Sequence, residues 1–148
     1  MLVELRITGL GVIDEVEVMF GPGLTAVTGE TGAGKTMLMG AVDLLLGGRT
    51  DPSIVRTGAA EAVVEGRFVD GDQEVVLRRV VPADGRSRSY VDGRLETATS
   101  LAEHGRRLLD LHGQHAHQRL LATAAQRDAL DRFGAVDTAP LADAVREL

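Results

Sequence analysis

Hydrophobic and polar residues alternate along the first twenty positions, as in strands that bury one face. Residues 2–8 alternate first, and residues 12–20 alternate again after a turn with two glycines. A period of two places every second side chain on the same face of a sheet. The pattern therefore predicts two strands joined by a tight turn at residues 9–11, as an antiparallel hairpin.

The middle third of the chain repeats this pattern with shorter turns. Residues 62–69 and 74–81 are rich in β-branched side chains and flank Asp70-Gly71-Asp72, while residues 88–91 and Leu95 flank Asp92-Gly93. Aspartate-glycine steps between such runs are typical of hairpins. We therefore predict an antiparallel β meander.

Helical patterns occupy the remaining parts of the chain. Residues 37–46 are apolar and free of proline, and Gly47 follows them, which predicts a helix that ends at that glycine. Ser100 and Glu103 have the spacing of a capping box at the start of a second helix, with an apolar stripe after it. Further helices are predicted at 124–133 and from Thr138 onward. The last one has no C-terminal cap, which we interpret as a helix that continues in a longer parent protein.

A glycine-rich motif lies between the first strands and the first helix. Its residues are Gly29, Glu30, Thr31, Gly32, Ala33, Gly34, Lys35 and Thr36, which match the P-loop pattern G-x-x-x-x-G-K-[ST]. Residues 24–28 before it are apolar and β-branched, which predicts a buried strand. Strand, glycine loop and helix in this order form a phosphate-binding site, whereas a chance match in a turn would lack that context.

The ligands of this loop follow from its glycines and its lysine. Glycine lets successive N–H groups point at one phosphate, and the N-terminus of the following helix adds partial positive charge. Lys35, the only lysine in the chain, would bind the β- and γ-phosphates of ATP. The Thr36 hydroxyl would bind Mg²⁺. The motif therefore predicts ATP and Mg²⁺ as ligands.

Composition and charge exclude several classes of protein. A chain of 148 residues, 44% hydrophobic and 26% charged, can form a domain with a core. It has no cysteine for a disulfide or a thiolate metal site, and its start lacks the pattern of a signal peptide. The net charge of −6 argues against broad electrostatic binding of DNA by this chain alone. No apolar run approaches the roughly 20 residues of a membrane span. We expect a cytoplasmic protein without a membrane partner.

Several strings carry a family resemblance when they are taken together. They are the P-loop motif, Leu-Leu-Leu-Gly-Gly-Arg at 44–49, Val-Arg at 55–56, Gly-Arg-Ser-Arg at 85–88, and His-Gly-Gln-His at 112–115 with the residues up to 121. In this order they resemble the RecN family of bacterial DNA repair proteins, which is related to the SMC ATPases. The resemblance implies an α/β fold, with residues 1–135 as the N-terminal lobe of a P-loop NTPase head of the ABC/SMC type. It also implies that 136–148 start a coiled-coil helix.

The resemblance further implies roles for single residues and partners. Gln114 looks like the Q-loop glutamine, which would contact Mg²⁺ and the attacking water. Arg56 looks like an arginine that lies near the nucleotide phosphates, and the turn at 9–12 would lie near the base. The implied partners are the protein's own C-terminal head lobe, a second head in a homodimer, and DNA, in a nucleoid-associated protein. Gly9-Leu10, Gly40 and Ala116 depart from the family pattern.

Some of these residues have simpler interpretations. His112, His115 and His117 could form a metal site instead of a polar Q-loop switch. Gln114 and Arg56 could be ordinary surface residues. The arginines at 78, 79, 86, 88 and 94 could line an edge that faces DNA, although a solvated strand face is the commoner role.

The function that the resemblance implies is an ATP-gated head in the repair of DNA double-strand breaks, where ATP joins two heads and DNA is tethered. The Walker B pair, the signature loop and the switch histidine of an ABC ATPase are not found in the sequence. The parent protein would therefore be an ATPase, whereas this chain alone should bind nucleotide without turning it over. The alternatives are the nucleotide-binding domain of a transporter and a scaffold lobe that does not hydrolyse ATP.

Overall fold

The computed structural model describes residues 1–30, 34–109, 126–127, 130–131, 133–134 and 136. The chain divides into two compact units, Met1–Asp110 and Leu111–Leu148. In the second unit, residues 126–127, 130–131 and 133 are helical, and Gly134 N–H donates to the Leu130 carbonyl at 2.9 Å. Within the described residues, no helix has both the length and the apolar character needed to cross a bilayer. The predicted start of the coiled coil at 136 stays a prediction.

One antiparallel sheet of six strands forms the framework of the first unit. Its strands are β1 (Leu2–Leu10), β2 (Ile13–Met19), β3 (Glu61–Asp70), β4 (Gln73–Pro82), β5 (Arg88–Val91) and β6 (Arg94–Glu96). Their order across the sheet is β2-β1-β3-β4-β5-β6, so β3 returns to pair with β1 after the first helix. The predicted first hairpin and the predicted meander are confirmed.

The two-residue turns set the register of the meander. Asp70 pairs with Gln73, and Val91 pairs with Arg94, so each hairpin has two residues between its strands. Asp92 and Gly93 have φ values of 48° and 76°, the left-handed conformation that such hairpin turns require. The Asp92 carboxylate also accepts a hydrogen bond from Val76 N–H at 2.8 Å, which ties this turn to β4.

Two helices cover one face of the sheet. Helix α1 (Lys35–Leu45) packs against β1, β3 and β4, and helix α2 (Ala98–Leu108) packs against β5 and α1. The largest fully buried side chains come from the sheet and from both helices: Leu5, Ile7, Leu45, Val64, Phe68, Leu77 and Leu101. Burying a side chain of this kind contributes about 1.5–3 kcal/mol. This shared core fixes where α1, and therefore its N-terminus, lies on the sheet.

The start of α2 differs from the sequence prediction. The N-cap is Thr97, whose hydroxyl accepts a hydrogen bond from Ser100 N–H at 3.0 Å, so Ser100 lies inside the helix. The predicted capping box at Ser100 and Glu103 is therefore wrong. Thr97, Thr99 and Ser100 all have hydroxyl side chains, and Thr97, directly after β6, has the extended backbone conformation of a cap.

The predicted buried strand before the P-loop is also wrong. Residues 24–28 are not in a strand, Leu24 is 98% exposed and Val27 is 51% exposed. The edges of the sheet are β2 and β6, so no described strand pairs with this segment. A strand is stable only when neighbours satisfy its backbone N–H and C=O groups, and β propensity alone does not supply them.

Candidate nucleotide-binding site

The N-terminus of α1 has the features of an anion-binding site. Its N-cap is Gly34, with φ 92° and ψ −1°, a left-handed conformation in which a residue with a Cβ would be strained. No side chain caps this end, and the first turn contains no acidic residue. The first N–H groups of a helix have no partner within it, and the helix dipole adds partial positive charge there. This end of α1 can therefore bind an anion.

Lys35 is the first residue of α1, and it binds the loop that precedes it. Its ammonium group donates hydrogen bonds to the carbonyls of Gly29 and Glu30, the latter at 2.5 Å. A phosphate oxygen is a stronger acceptor for an ammonium group than a neutral carbonyl, because the bond is then assisted by charge on both partners. Lys35 therefore lies where it can exchange these carbonyls for phosphate oxygens.

Thr36 follows Lys35 in the first turn of α1 and is exposed, so its hydroxyl is accessible to a metal ion. Among the described residues, no group of three or more histidine, cysteine, aspartate or glutamate side chains could hold a metal. Thr36, with phosphate oxygens and water, is consistent with the sparse protein coordination that Mg²⁺ has in phosphate sites.

The turn between β1 and β2 packs against the same end of α1. A Cβ on Gly11 would lie 2.8 Å from Met37 Sδ, and a Cβ on Gly34 would lie 3.9 Å from Ile13 Cγ1. The absence of a side chain at Gly11 therefore allows the turn to approach the helix closely. The resemblance places residues 9–12 near the nucleotide base, and that placement stays a prediction.

Arg56 reaches this turn from the segment that follows α1. The main-chain N–H of Arg56 donates a hydrogen bond to the Gly9 carbonyl at 2.8 Å, and the side-chain Nη1 donates one to the Val12 carbonyl at 3.0 Å. Nε also lies 3.6 Å from a carboxylate oxygen of Asp14, a side chain that is 88% exposed. An ion pair this exposed holds the arginine weakly, because water competes for both groups. The structure thus brings Arg56 to the turn that contacts α1.

The structure describes some of the predicted site residues, and others lie outside its described part. Gly29, Glu30, Gly34, Lys35 and Thr36 lie at the start of α1 or in the loop before it. Thr31, Gly32, Ala33, Gln114 and the histidines 112, 115 and 117 lie outside the described residues.

The possible DNA-facing row of arginines does not share one surface. Arg79 is 4% exposed and lies on the buried face of the sheet. On the outer face, Arg78 pairs with Glu65 at 3.7 Å, and Arg88 pairs with Glu61 at 2.9 Å. The outer face is therefore a solvated surface on which opposite charges meet across the strands, not an unbalanced positive patch.

Two other outer-face arginines make the same kind of pair. Glu17, directly opposite on β2, forms a hydrogen bond that raises the pKa of Arg6, and Glu4 does the same for Arg67. The oxygen-to-nitrogen distances are 2.6 Å and 2.9 Å. These pairs further reduce the free positive charge of this face.

Arg79 is a buried residue of β4, although its charge favours an exposed position. The sequence does contain a signal for this burial. Leu77, Arg79 and Val81 occupy alternate positions of β4, so their side chains lie on the same, inward face of the sheet. Charge alone suggested exposure, whereas the period of the strand correctly gives burial.

Comparisons with known proteins agree with the motif. The AAA domain family matches residues 4–115. The DNA repair protein RecN of Streptomyces coelicolor is 47% identical over 93% of this chain, and that of Bacillus subtilis is 40% identical over 93%. This chain spans 27% of the length of each of these relatives. The resemblance drawn from the motifs is confirmed.

The fold also matches a solved structure from work on ATP-driven dimerisation and DNA-stimulated activation of SMC ATPases. The TM-score is 0.67 at 22% identity, and the match covers 88% of this chain and 97% of that one. At this identity the likeness shows the fold alone, and it confirms the predicted ABC/SMC-type α/β lobe.

Proposed function

Because the chain belongs to the AAA domain family, we propose that it forms the ATP-binding lobe of a RecN-like DNA repair ATPase. The observation that carries this proposal is the uncapped N-terminus of α1, where Lys35 directly follows the left-handed Gly34. Similarity to RecN over 93% of the chain supports the assignment to DNA repair.

In this proposal, each side chain of the site has a defined task. Main-chain N–H groups at the start of α1 bind the phosphates, and Lys35 neutralises the β- and γ-phosphates after it leaves the carbonyls of Gly29 and Glu30. Thr36 holds Mg²⁺, which would neutralise the developing charge on the phosphates. Arg56 leaves the Val12 carbonyl and adds a second positive charge. Gln114 would orient the water.

Hydrolysis requires groups beyond this chain. The sequence contains no Walker B carboxylate, so no general base is available to activate the attacking water. We propose that the C-terminal lobe of the same protein and a second head, in a homodimer, supply the missing groups. ATP would then hold two heads together while DNA is tethered, in the cytoplasm at the nucleoid.

The two alternative functions are less well supported. The relatives are DNA repair proteins and the structural match is to SMC ATPases, so a transporter domain is not favoured. A scaffold lobe would keep the fold without nucleotide affinity. Only a binding measurement separates that scaffold from the proposed function.

Calorimetric titration of Mg·ATP into the wild-type protein and the Lys35→Met variant tests the proposal. We expect saturable binding at one site, weakened about 10–100-fold by Lys35→Met, because a hydrogen bond to a charged group is lost.

Arg94→Met is the matched control, since Arg94 is exposed on β6, at the opposite edge of the sheet from β2. It should leave the affinity unchanged. Absence of saturable binding by the wild type, or equal affinity of the wild type and Lys35→Met, would contradict the proposal.

A further inference from the structure

A buried arginine lies between the sheet and the helices, outside the site described above. Arg79 is on the inward face of β4, and its guanidinium group donates to the hydroxyls of Ser89 and Ser87, the latter at 3.1 Å. Ser89 is itself 2% exposed and lies directly opposite Arg79 on β5. Arg79 thus joins β4 to β5 and to the turn before it.

This arginine lacks the partner that buried charges usually have. Among the described residues, no carboxylate lies within ion-pair distance of Arg79, and Nε is buried without a hydrogen-bond acceptor. Burial lowers its pKa below the usual value. A buried charge without a counterion costs several kcal/mol, and an apolar side chain of similar volume is often more stable in such a position. Core packing alone therefore does not account for Arg79.

The Ser87 hydroxyl, which accepts a hydrogen bond from Arg79, also accepts one from the loop that follows α1. Thr50 Oγ1 donates to Ser87 Oγ at 3.2 Å, so Ser87 joins Arg79 to the loop that follows α1. Thr50 begins the segment 50–56, which ends at Arg56. Arg79 is therefore connected by two hydrogen bonds to the start of the segment that carries Arg56.

The segment between Thr50 and Arg56 has its own hydrogen bonds. The Asp51 carboxylate accepts from Ser53 N–H at 2.8 Å, which lowers the pKa of Asp51 and caps the 3₁₀ turn Pro52–Ile54. The Ile54 carbonyl then accepts from Gly11 N–H at 2.7 Å. The segment from Thr50 to Arg56 is thus held by hydrogen bonds along its length.

We propose that Arg79 is a positioning residue for the nucleotide site, because it fixes Thr50 through Ser87 and so sets where Arg56 lies. This inference rests on the proposed function, since it assigns Arg56 to the phosphates. Arg79 itself does not touch the nucleotide. It holds Thr50, at the start of the segment 50–56, in place while Arg56, at its end, exchanges the Val12 carbonyl for the phosphates.

The test compares four variants in Mg·ATP titrations: Arg79→Met, Arg56→Ala, the double variant of these two, and a control. Arg79→Met should raise the dissociation constant about 3–10-fold, in the range of couplings transmitted through packed networks, while the protein stays folded. In an Arg56→Ala background the same substitution should have no further effect, because its action passes through Arg56. Arg78→Met is the control, since this neighbouring arginine lies on the outer face and pairs with Glu65.

A second variant covers the case in which Arg79→Met does not fold. Ser87→Ala keeps the bond from Arg79 to Ser89 and removes the acceptor shared with Thr50. It should raise the dissociation constant to a similar extent and speed amide hydrogen exchange at residues 51–56 in the absence of nucleotide. A purely structural role would change stability without this local pattern.

The outcomes distinguish this inference from the proposed function. If the wild type binds Mg·ATP and Ser87→Ala binds it equally well, with unchanged exchange at 51–56, the positioning role is overturned and the proposed function stands. An equal loss with and without Arg56 would also overturn the positioning role. If the wild type does not bind, the proposed function fails, and the role of Arg79 at the nucleotide site fails with it.

Discussion

Gly40 lies inside α1 and Gly47 lies just after it, and the structure restricts the residue type at these two positions to different degrees. Gly40 lies inside α1, and a Cβ at this position would have no atom within 4 Å. Gly47 ends the helix with φ 82°, and its Cβ would meet the Cβ of Ala102 and lie 3.2 Å from the Ala98 carbonyl. Conformation and space therefore both require glycine at 47, and neither does at 40.

Alanine at these two positions should change the free energy of unfolding in opposite directions. Gly40→Ala should stabilise the protein by about 0.4–1 kcal/mol, because alanine restricts the unfolded chain and favours helix. Gly47→Ala should destabilise it by about 1–3 kcal/mol through backbone strain and overpacking. Denaturant unfolding of both variants measures the difference, and a loss of stability in Gly40→Ala would contradict the open space seen there.

Lys35 could be assigned from the sequence alone, since the motif fixes its place in the first turn of a helix. The contact of Arg56 with the β1–β2 turn could not be derived from the pattern, because it depends on hydrogen bonds to Gly9 and Val12, residues distant in the chain. The resemblance places Arg56 near the nucleotide phosphates, and that role stays a prediction. The bonds of Arg79 to two serine hydroxyls likewise depend on strand register, which sequence does not give.

At the scale of elements, strands with clear alternation and turn residues were predicted well. The hairpin β3–β4 has two-residue periodicity on both strands and a glycine in its turn, so local pattern and tertiary pairing agree. Residues 24–28 have the same β propensity without a neighbouring strand in the described part of the chain. Partners, rather than propensity, therefore decide which β-rich runs become strands.

Substitutions at Leu24 and Leu5 should separate these two cases. Leu24→Ala should change the free energy of unfolding by no more than about 0.5 kcal/mol, because the side chain is 98% exposed. Leu5→Ala, at a fully buried position of β1, should cost about 2–5 kcal/mol. Urea unfolding measures both values. A comparable loss in the two variants would mean that residues 24–28 are packed in solution.

The cap of α2 provides a second test at this scale. Thr97→Ala should destabilise the protein by about 0.5–2 kcal/mol, because Ser100 N–H loses its acceptor. Ser100→Ala keeps that N–H and should cost far less, although Ser100 is the residue that the sequence pattern suggests as the cap. Thermal unfolding of the pair decides between them, and a larger loss in Ser100→Ala would favour the capping box.

On the scale of the whole chain, the sheet separates two environments. One face packs against α1 and α2 and buries Arg79, while the outer face carries the cross-strand pairs of Arg6, Arg67, Arg78 and Arg88. The candidate site lies at the N-terminal end of α1, against which the β1–β2 turn packs, and the segment 50–56 is hydrogen-bonded to that turn. This chain spans 27% of its RecN relative from Streptomyces coelicolor, and we propose that it supplies the phosphate-binding end while the remaining catalytic groups come from the rest of the head.

The central claim is that the loop and Lys35 bind the phosphates of ATP, and the single lysine allows a direct measurement. An amine-specific acylating reagent should modify only Lys35 and the amino group of Met1 in this chain, and mass spectrometry can follow both sites. We predict that Mg·ATP slows acylation of Lys35 in a saturable manner and leaves that of Met1 unchanged. Equal rates at Lys35 with and without saturating Mg·ATP would contradict the claim.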